Sequence, residues 1–260
     1  MGSLKYHRPK TLKEAVALMD KGVPLAGGTA LTPQRYEVDA VIDIQDLKLD
    51  ELKLGKSEIH IGATVKLEAL IKAHEELPQA LVQACRQEAA LNIRNAATIG
   101  GAVMSGDGRS PLLTALLALD ASVITEPGNN SEPLQKLLEN RKGMRKPRLI
   151  VALEMVRPNQ MIYEQVSRSP ADRPLVCLVV AEHPISKGER KVIAALGGHG
   201  ERPIRLTELE EALEKCASLA DAAALAQKAY KDAGDAFASA VYRAEIAGVL
   251  ARRLLTEVKG

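Results

Sequence analysis

The residues best suited to hold a ligand are two glycine pairs, each preceded by an apolar stretch. The first lies in Ala26-Gly27-Gly28-Thr29, and the second ends the segment NIRNAATIGG at residues 92–101. A glycine-rich turn that leads into a helix offers backbone N–H groups and the positive end of the helix dipole to phosphate. Ser110-Pro111 has the residue types of an N-cap and a first helical position. We therefore predict that the two loops hold one nucleotide cofactor, although a tight turn alone also explains each glycine pair.

The sequence contains no pattern typical of catalytic side chains. Neither loop matches G-x-G-x-x-G and no Gly-Lys-Ser/Thr occurs, which disfavours a Rossmann dehydrogenase or a P-loop NTPase. The histidines share no spacing, and no serine lies in a nucleophile elbow. Cys85, Cys177 and Cys216 are too far apart to form a metal-ligand pattern, so we predict buried thiols and no metal or iron–sulfur cluster in this chain. A bound cofactor would have to supply any chemistry.

Composition excludes several classes of partner. Aromatic residues make up 2% of the chain and the net charge is +2, so a basic groove with stacking aromatics, as in single-strand nucleic-acid binders, is not expected. The N-terminus has no apolar run typical of a signal peptide. The longest apolar run, residues 111–124, contains Asp120 and is too short to cross a bilayer. We predict a cytoplasmic protein that does not insert into membranes.

Strand and helix patterns are segregated along the chain, which favours an α+β fold over a doubly wound sheet. Thr11 and Glu14 form a capping box that opens a helix, and Gly22 is expected to close it. The other expected elements are strands at 23–26, 40–44, 58–63, 121–125, 149–156, 175–181 and 191–196 and helices at 64–77, 78–91, 110–119, 206–232 and 238–258. Arg157-Pro158 is an expected domain boundary.

Two further segments have alternative interpretations. The basic run at residues 141–148 is either a solvated loop or a docking surface for a partner or a cofactor phosphate. Gly197-Gly198-His199-Gly200 is either a third phosphate loop or, as we favour, a turn after a strand.

Both glycine loops resemble those of a known family. Ala26-Gly27-Gly28-Thr29-Ala30-Leu31 resembles an A-G-G-T-x-L loop, and IRNAATIGG at 93–101 is similar to I-R-N-x-A-T-I-G-G. Residues 115–121 (ALLALDA) extend the match. These motifs belong to the FAD-binding subunits of molybdenum hydroxylases, which include the medium subunit of carbon monoxide dehydrogenase and the flavin domain of xanthine dehydrogenase.

The resemblance implies a fold and a site. Two N-terminal α/β subdomains, residues 1–54 and 55–157, would form an FAD-binding cleft, and residues 158–260 would form a C-terminal domain of a small antiparallel sheet and a helix bundle. No residue is expected to be catalytic. The residues expected to contact FAD are Ala26, Gly27, Gly28, Thr29, Ala30, Leu31, Thr98, Ile99, Gly100, Gly101, Ser105 and Asp107.

The implied function is electron relay. The chain would be an oxidoreductase subunit that passes electrons from a separate 2Fe-2S subunit, in complex with a molybdopterin-containing large subunit, to an external acceptor. The sequence departs from the family at Ala102, Pro111 and Gln165, where the family has Asn, Asp and Lys. Asp107 or Ser105 could replace one lost contact. These departures favour the alternative, a non-catalytic assembly subunit of the same fold that has lost FAD, whereas the two intact glycine loops favour the flavoprotein, which we expect.

Overall fold

The computed structural model describes residues 4–34, 37–143, 148–184, 190–215 and 218–259. Cys216 and part of the basic run, residues 144–147, lie outside these ranges. The chain forms two compact units. The first comprises Met1–Lys72, Leu91–Ser105 and Ala121–Met155, and the second comprises Ala73–Ala90, Gly106–Asp120 and Val156–Gly260. Two segments of the N-terminal half therefore belong with the C-terminal residues. The three-part division expected above stays a prediction.

The strands are β1 (Lys5–His7), β2 (Val23–Leu25), β3 (Ala40–Asp43), β4 (Leu52–Leu54), β5 (Glu58–Gly62), β6 (Ser122–Glu126), β7 (Asn130–Pro133), β8 (Leu149–Val156), β9 (Gln160–Val166), β10 (Val176–Pro184), β11 (Arg190–Gly197) and β12 (Ile204–Arg205). The helices are α1 (Leu12–Leu18), α2 (Leu67–Lys72), α3 (Gln79–Glu88), α4 (Leu91–Arg94), α5 (Ile99–Ser105), α6 (Pro111–Ala118), α7 (Leu134–Asn140), α8 (Thr207–Glu214), α9 (Leu219–Ala229) and α10 (Ala240–Lys259). The α+β class is confirmed.

The first unit is built on two sheets. Strands β1, β3 and β2 form a parallel sheet in that order, with Val23 opposite Val41. A second sheet has the order β4-β5-β8-β6-β7, in which β6 runs antiparallel to both β7 and β8. A core cluster joins α1, β3 and β8 through aliphatic side chains such as Ala15, Ile42 and Leu149. This core holds the end of β2, where the first glycine loop begins.

Helix α1 begins as predicted and ends earlier. The Glu14 N–H donates to Thr11 Oγ1 at 3.2 Å, so Thr11 is the N-cap. The Glu14 carboxylate accepts from the Lys10 N–H at 2.8 Å instead of closing the box on Thr11. Helix α1 ends with Met19 as its C-cap, and the prediction that Gly22 closes the helix is therefore wrong. A Cβ on Gly22 would lie 2.9 Å from the Ala40 carbonyl oxygen, so the glycine permits a close backbone approach.

The second unit places helices on both faces of an antiparallel sheet, in the order β12-β11-β10-β9. Leu178 is opposite Leu196, which confirms the predicted pairing of the two apolar runs. Alternate residues of β10 point to opposite faces. Val176, Leu178 and Val180 join a core with α8, α9 and α10, whereas Cys177 Sγ lies 3.5 Å from Thr114 Oγ1 of α6. Every residue of α6 is buried.

The expected single helix at 206–232 is instead two helices, α8 and α9, because Ser218 starts α9 with a complete capping box to Asp221. The final helix, α10, agrees with the prediction to within two residues. Cys85 and Cys177 are buried thiols, as predicted. No helix in the described part of the chain is long and apolar enough to cross a membrane.

Candidate functional site

The two glycine loops touch each other in the first unit. Gly27, just after β2, packs directly on the backbone that follows α4, where a Cβ on Gly27 would lie 1.9 Å from the Ala96 carbonyl oxygen. Any side chain here would separate the loops, so glycine is required by packing. The contact brings together residues that are about seventy positions apart in the sequence.

The second loop is largely helical, which differs from the predicted turn. Gly100 and Gly101 lie in the first turn of α5, not in an irregular segment before α6. Three interactions fix this turn: the Gly100 N–H donates to the Ala63 carbonyl at 2.9 Å, the Ile99 N–H donates to the Val65 carbonyl at 3.0 Å, and the Gly101 N–H donates to Thr98 Oγ1 at 3.2 Å. These partners are remote in sequence or supplied by a side chain, and they outweigh the low helix propensity of glycine.

The first loop keeps its backbone donors free. The Thr32 N–H donates to the Gly28 carbonyl at 2.8 Å and closes the loop, and Gly28 has a φ of 71°, which favours glycine. Within the described residues, none of the N–H groups at 27–31 donates a hydrogen bond. Unsatisfied donors at a half-enclosed loop are suited to an anionic ligand.

An apolar cavity of about 520 Å³ lies beside these loops, a volume within the usual range for small-molecule sites. All six residues of the first loop, 26–31, line it, together with Thr98, Gly100, Gly101 and Ser105. Its apolar lining also includes Met19, Val23, Pro24, Leu25, Ile44, Ala63, Met104, Leu149 and Ile150. Ten of the twelve residues expected to contact FAD therefore surround one cavity.

The other two expected residues lie elsewhere. The Ile99 side chain is fully buried in the core and does not line the cavity. Asp107 belongs to the second unit, where both of its carboxylate oxygens accept from the Arg173 guanidinium. Burial raises the pKa of the Asp107 carboxyl, but hydrogen bonds from Arg173 and the Arg109 N–H outweigh burial and lower it. Asp107 is therefore an ionised, engaged carboxylate.

A second cavity, of about 450 Å³, also lies at the contact between the loops, because both Gly27 and Ala96 line it. It shares Ala26, Gly27 and Thr98 with the apolar cavity. We call it the polar cavity because its remaining lining includes Gln45, Asp50, Thr64, Lys66 and Asn95. Asn95 belongs to the second glycine loop, whereas Gln45, Asp50, Thr64 and Lys66 belong to no motif because they come from separate segments of the chain.

Two arginines of the basic run reach the apolar cavity. Arg141 lines it and donates to the Val103 carbonyl of α5, and Arg148 lines it while pairing with Glu132 at 2.6 Å. Residues 141–148 are thus not only a solvated loop, since the two ends contribute the cationic groups of this cavity's described lining. The run of basic residues was the one sequence signal for them.

The N-terminus of α6 has no donor left for phosphate. Ser110 is its N-cap, as predicted, and Ser110 Oγ accepts from the Leu113 N–H at 3.0 Å. The Glu88 carboxylate accepts from Ser110 Oγ at 2.8 Å and from the Leu112 N–H at 3.0 Å. Burial raises the pKa of Glu88, although these two hydrogen bonds oppose the shift. The chain's own Glu88 carboxylate therefore occupies the N-terminus of α6, where a phosphate would otherwise bind.

The remaining departures from the family are engaged within the chain. Pro111 is buried at the first position of α6, where its missing N–H has no cost. Gln165 accepts a hydrogen bond from the Tyr163 hydroxyl on β9. Ala102 lies within α5 and is partly buried. The structure supplies no substitute carboxylate from Asp107, which pairs with Arg173.

Two family models together match nearly the whole chain. The FAD binding domain in molybdopterin dehydrogenase matches residues 2–156, and the CO dehydrogenase flavoprotein C-terminal domain matches residues 161–258. Residues 157–160 lie between the two matches.

Full-length relatives agree with the family models. The chain is 30% identical to the uncharacterised protein YgfM of Escherichia coli (strain K12), covering 97% of this chain and 95% of that protein. It is 27% identical to the glyceraldehyde dehydrogenase medium chain of Sulfolobus acidocaldarius, covering 97% of each. Reconstituted CO dehydrogenase from Oligotropha carboxidovorans has a chain with a TM-score of 0.80 and 25% identity, covering 97% of this chain and 96% of that one. The chain therefore belongs to the FAD-binding medium subunits of the molybdenum hydroxylase family, and is an oxidoreductase flavoprotein subunit.

Proposed function

We propose that FAD binds at the two glycine loops and that the chain relays electrons from a 2Fe-2S subunit to an external acceptor. The bound flavin would supply the redox chemistry, and the protein would supply binding and orientation. The free N–H groups of residues 27–31 face the pyrophosphate in this proposal, and Thr98, Gly100, Gly101 and Ser105 line the same cavity. No side chain is proposed as a general acid or base.

The observation that best supports the proposal is that neither packing nor backbone conformation requires a glycine at position 101. Packing explains Gly27 and Gly100, since a Cβ at either position would strike the backbone of Ala96 or Ala63. A positive φ explains Gly28. A Cβ on Gly101 would meet only Thr98 Oγ1, at 3.0 Å, and Gly101 is exposed and lines the apolar cavity. A glycine that neither the backbone nor the packing needs is explained by a ligand that approaches the helix closely.

The proposed partners follow from the family. The relative from Sulfolobus acidocaldarius is named a medium chain, which implies larger and smaller chains in its complex. We propose that this chain likewise assembles with a molybdopterin-containing large subunit and a 2Fe-2S subunit in the cytoplasm.

Flavin binding can be tested by visible absorption of the purified full-length chain, before and after FAD is added and excess removed. We expect a retained oxidised-flavin spectrum in the wild type. Gly101→Val should lower FAD affinity about tenfold or more, because its side chain enters the cavity at the cost of a close contact worth about 1.4 kcal/mol. Gly143→Val is the matched control, since a Cβ at Gly143 meets nothing within 4 Å.

The alternative function, an assembly subunit without FAD, gives a different result. It is favoured by Pro111 and by the engagement of Asp107 with Arg173. A chain that is folded by circular dichroism, colourless, and unable to take up FAD even with its partner subunits present would support this alternative and overturn the flavin proposal.

A further inference from the structure

We propose that the second unit binds one internal water molecule between the Tyr230 hydroxyl and Arg243 Nε, and that this water completes the hydrogen bonding of both groups. Tyr230 is the C-cap of α9, and Arg243 lies in the first turn of α10. Both residues belong to the second unit, and neither lines the cavity beside the glycine loops. The inference therefore goes beyond the proposed function and does not depend on flavin binding.

Two buried polar atoms in this region have no hydrogen-bond partner. Among the described residues, the buried side-chain atoms without a partner are Glu164 Oε2, Tyr230 OH and Arg243 Nε. Glu164 Oε2 has an opposite charge 3.8 Å away, on Arg253. The side chains of Arg243 and Tyr230 are 0% and 4% exposed, so solvent at the surface does not serve them. A buried N–H or O–H group that bonds to nothing is costly and therefore rare, and ordered water is its usual partner.

The rest of the Arg243 guanidinium is fixed by the chain itself. Nη1 donates to the carbonyls of Leu175 and Gly198, and Nη2 donates to the Asp235 carboxylate at 2.6 Å. A planar group that is held by three acceptors does not rotate freely. The Nε–H therefore points in one fixed direction, where it needs an acceptor.

The two unpartnered groups lie close to the same turn after β11. Arg243 Nη1 donates to the Gly198 carbonyl, and the centroid of the Tyr230 ring lies 6.5 Å from that of the next residue, His199. Burial raises the pKa of the Tyr230 hydroxyl well above its usual range, and the positive charge of Arg243 opposes this shift. The guanidinium is thus near enough to act on the hydroxyl, and one small ligand can serve both.

The size and charge of the site favour water over an anion. Ala226 and Ala247 pack in the same core cluster as Tyr230, and their small side chains leave space for a ligand the size of water. Asp235 already neutralises the charge of Arg243. An anion would place a second negative charge near that carboxylate, whereas a water molecule accepts from both Arg243 Nε–H and the Tyr230 hydroxyl without adding charge.

The first test is the melting temperature of full-length Tyr230→Phe. If water bridges the two groups, removing the hydroxyl takes away one of its partners, and the melting temperature should fall by about 2–4 °C. If the hydroxyl bonds to nothing, its removal relieves a buried polar group, and the melting temperature should stay the same or rise. Tyr242→Phe is the matched control, because Tyr242 is 40% exposed on the same helix and loses a hydroxyl that solvent reaches. It should melt as the wild type does.

The second test is a high-resolution crystal structure of the full-length chain, with a second crystal soaked in bromide. We expect one water within about 3 Å of both Tyr230 OH and Arg243 Nε, and no anomalous signal from bromide there. A direct hydrogen bond between the two atoms, a water that touches only one of them, or a bromide at the site would overturn the inference. So would an unchanged or raised melting temperature for Tyr230→Phe.

Discussion

Two glycine-rich regions look alike in sequence and are used in opposite ways. In the first unit, the loop at 26–31 leaves its N–H groups free and lines a cavity. In the second unit, Gly108 and the segment Gly197-Gly198-His199-Gly200 bond to each other: the Gly198 N–H donates to the Gly108 carbonyl at 2.6 Å, and the Gly108 N–H donates to the Gly200 carbonyl at 2.9 Å. Residues 198–200 follow strand β11, as the turn interpretation predicts, and the backbone donor of Gly198 is already engaged with Gly108.

The difference shows how to recognise a binding glycine. A Cβ on Gly108 would lie 1.8 Å from the His199 carbonyl oxygen, and one on Gly198 would lie 2.2 Å from the Leu175 carbonyl oxygen. At both positions, glycine is required because another backbone segment packs where a Cβ would lie. Gly101 has neither contact. A loop that binds a ligand is therefore distinguished from a loop that only packs by its free backbone N–H groups and by glycines that face open space. The number of glycines alone does not distinguish the two.

The largest loss of stability is expected in the second unit, where the backbone of Gly198 packs closely against that of Leu175. Gly198→Ala combines a φ of 126°, unfavourable for alanine, with a close approach to Leu175. We expect a loss of about 3 kcal/mol or more and a melting temperature lower by roughly 10 °C. Gly200→Ala has a positive φ but nothing within 4 Å, so it should cost about 1 kcal/mol. Equal losses in thermal denaturation would contradict the packing explanation.

A smaller effect should separate the two adjacent glycines of α5. A Cβ on Gly100 would lie 2.9 Å from both the Ala63 carbonyl oxygen and its Cβ, so Gly100→Ala should destabilise the chain by about 1–3 kcal/mol. Gly101→Ala should change the free energy of unfolding by less than about 1 kcal/mol and yet weaken FAD binding. Urea denaturation and FAD titration of both variants measure the two quantities. If Gly101→Ala lost stability without losing affinity, its glycine would be a packing residue too.

The smallest effect is a pH dependence confined to the second unit. Because burial raises the pKa of Glu88 in the folded chain, the native state binds a proton more tightly than the unfolded state does. The free energy of unfolding should therefore fall as the pH rises from 4.5, the ordinary pKa of a glutamate, to the raised pKa of Glu88 in the folded chain. The fall is at most about 1.4 kcal/mol per pH unit. Glu88→Gln, which does not titrate, should lack this fall when melting temperatures are measured between pH 4.5 and 8. Identical profiles for the two proteins would rule out Glu88 as the cause.

Local signals in the sequence predicted the elements well. The cap at Thr11, the Ser110-Pro111 start of α6 and the β10–β11 pair depend on neighbouring residues or on regular alternation, and all three are confirmed. The family motifs also identified nine residues that share one cavity, which Ser105 lines as well. These features are encoded within a few positions, so a single sequence reveals them.

The features that the sequence did not predict depend on tertiary contacts, which leave no local pattern in the sequence. Gly100 and Gly101 form part of a helix because Ala63 and Thr98 bind their N–H groups, which no local propensity indicates. Lys66, which lines the polar cavity, belongs to no sequence motif. The pairing of Asp107 with Arg173 joins residues that are far apart in the chain. From its sequence context, Glu88 is expected to be an ordinary surface residue near the end of α3, but its carboxylate accepts from the Leu112 N–H at the start of α6. Each case is a tertiary contact that overrides local preference.

The wholly buried helix α6 has a consequence for how the chain is made. Its eight residues are apolar apart from Thr114, and they pack against α3 and against strands β10 and β11. During translation, α6 leaves the ribosome after α3 but before those strands have been synthesised, so only α3 can cover its leucines until the C-terminal sheet follows. A chain released after the first family domain would expose the face of α6 that β10 and β11 cover, and we expect chaperones to bind that apolar face until the sheet closes over it.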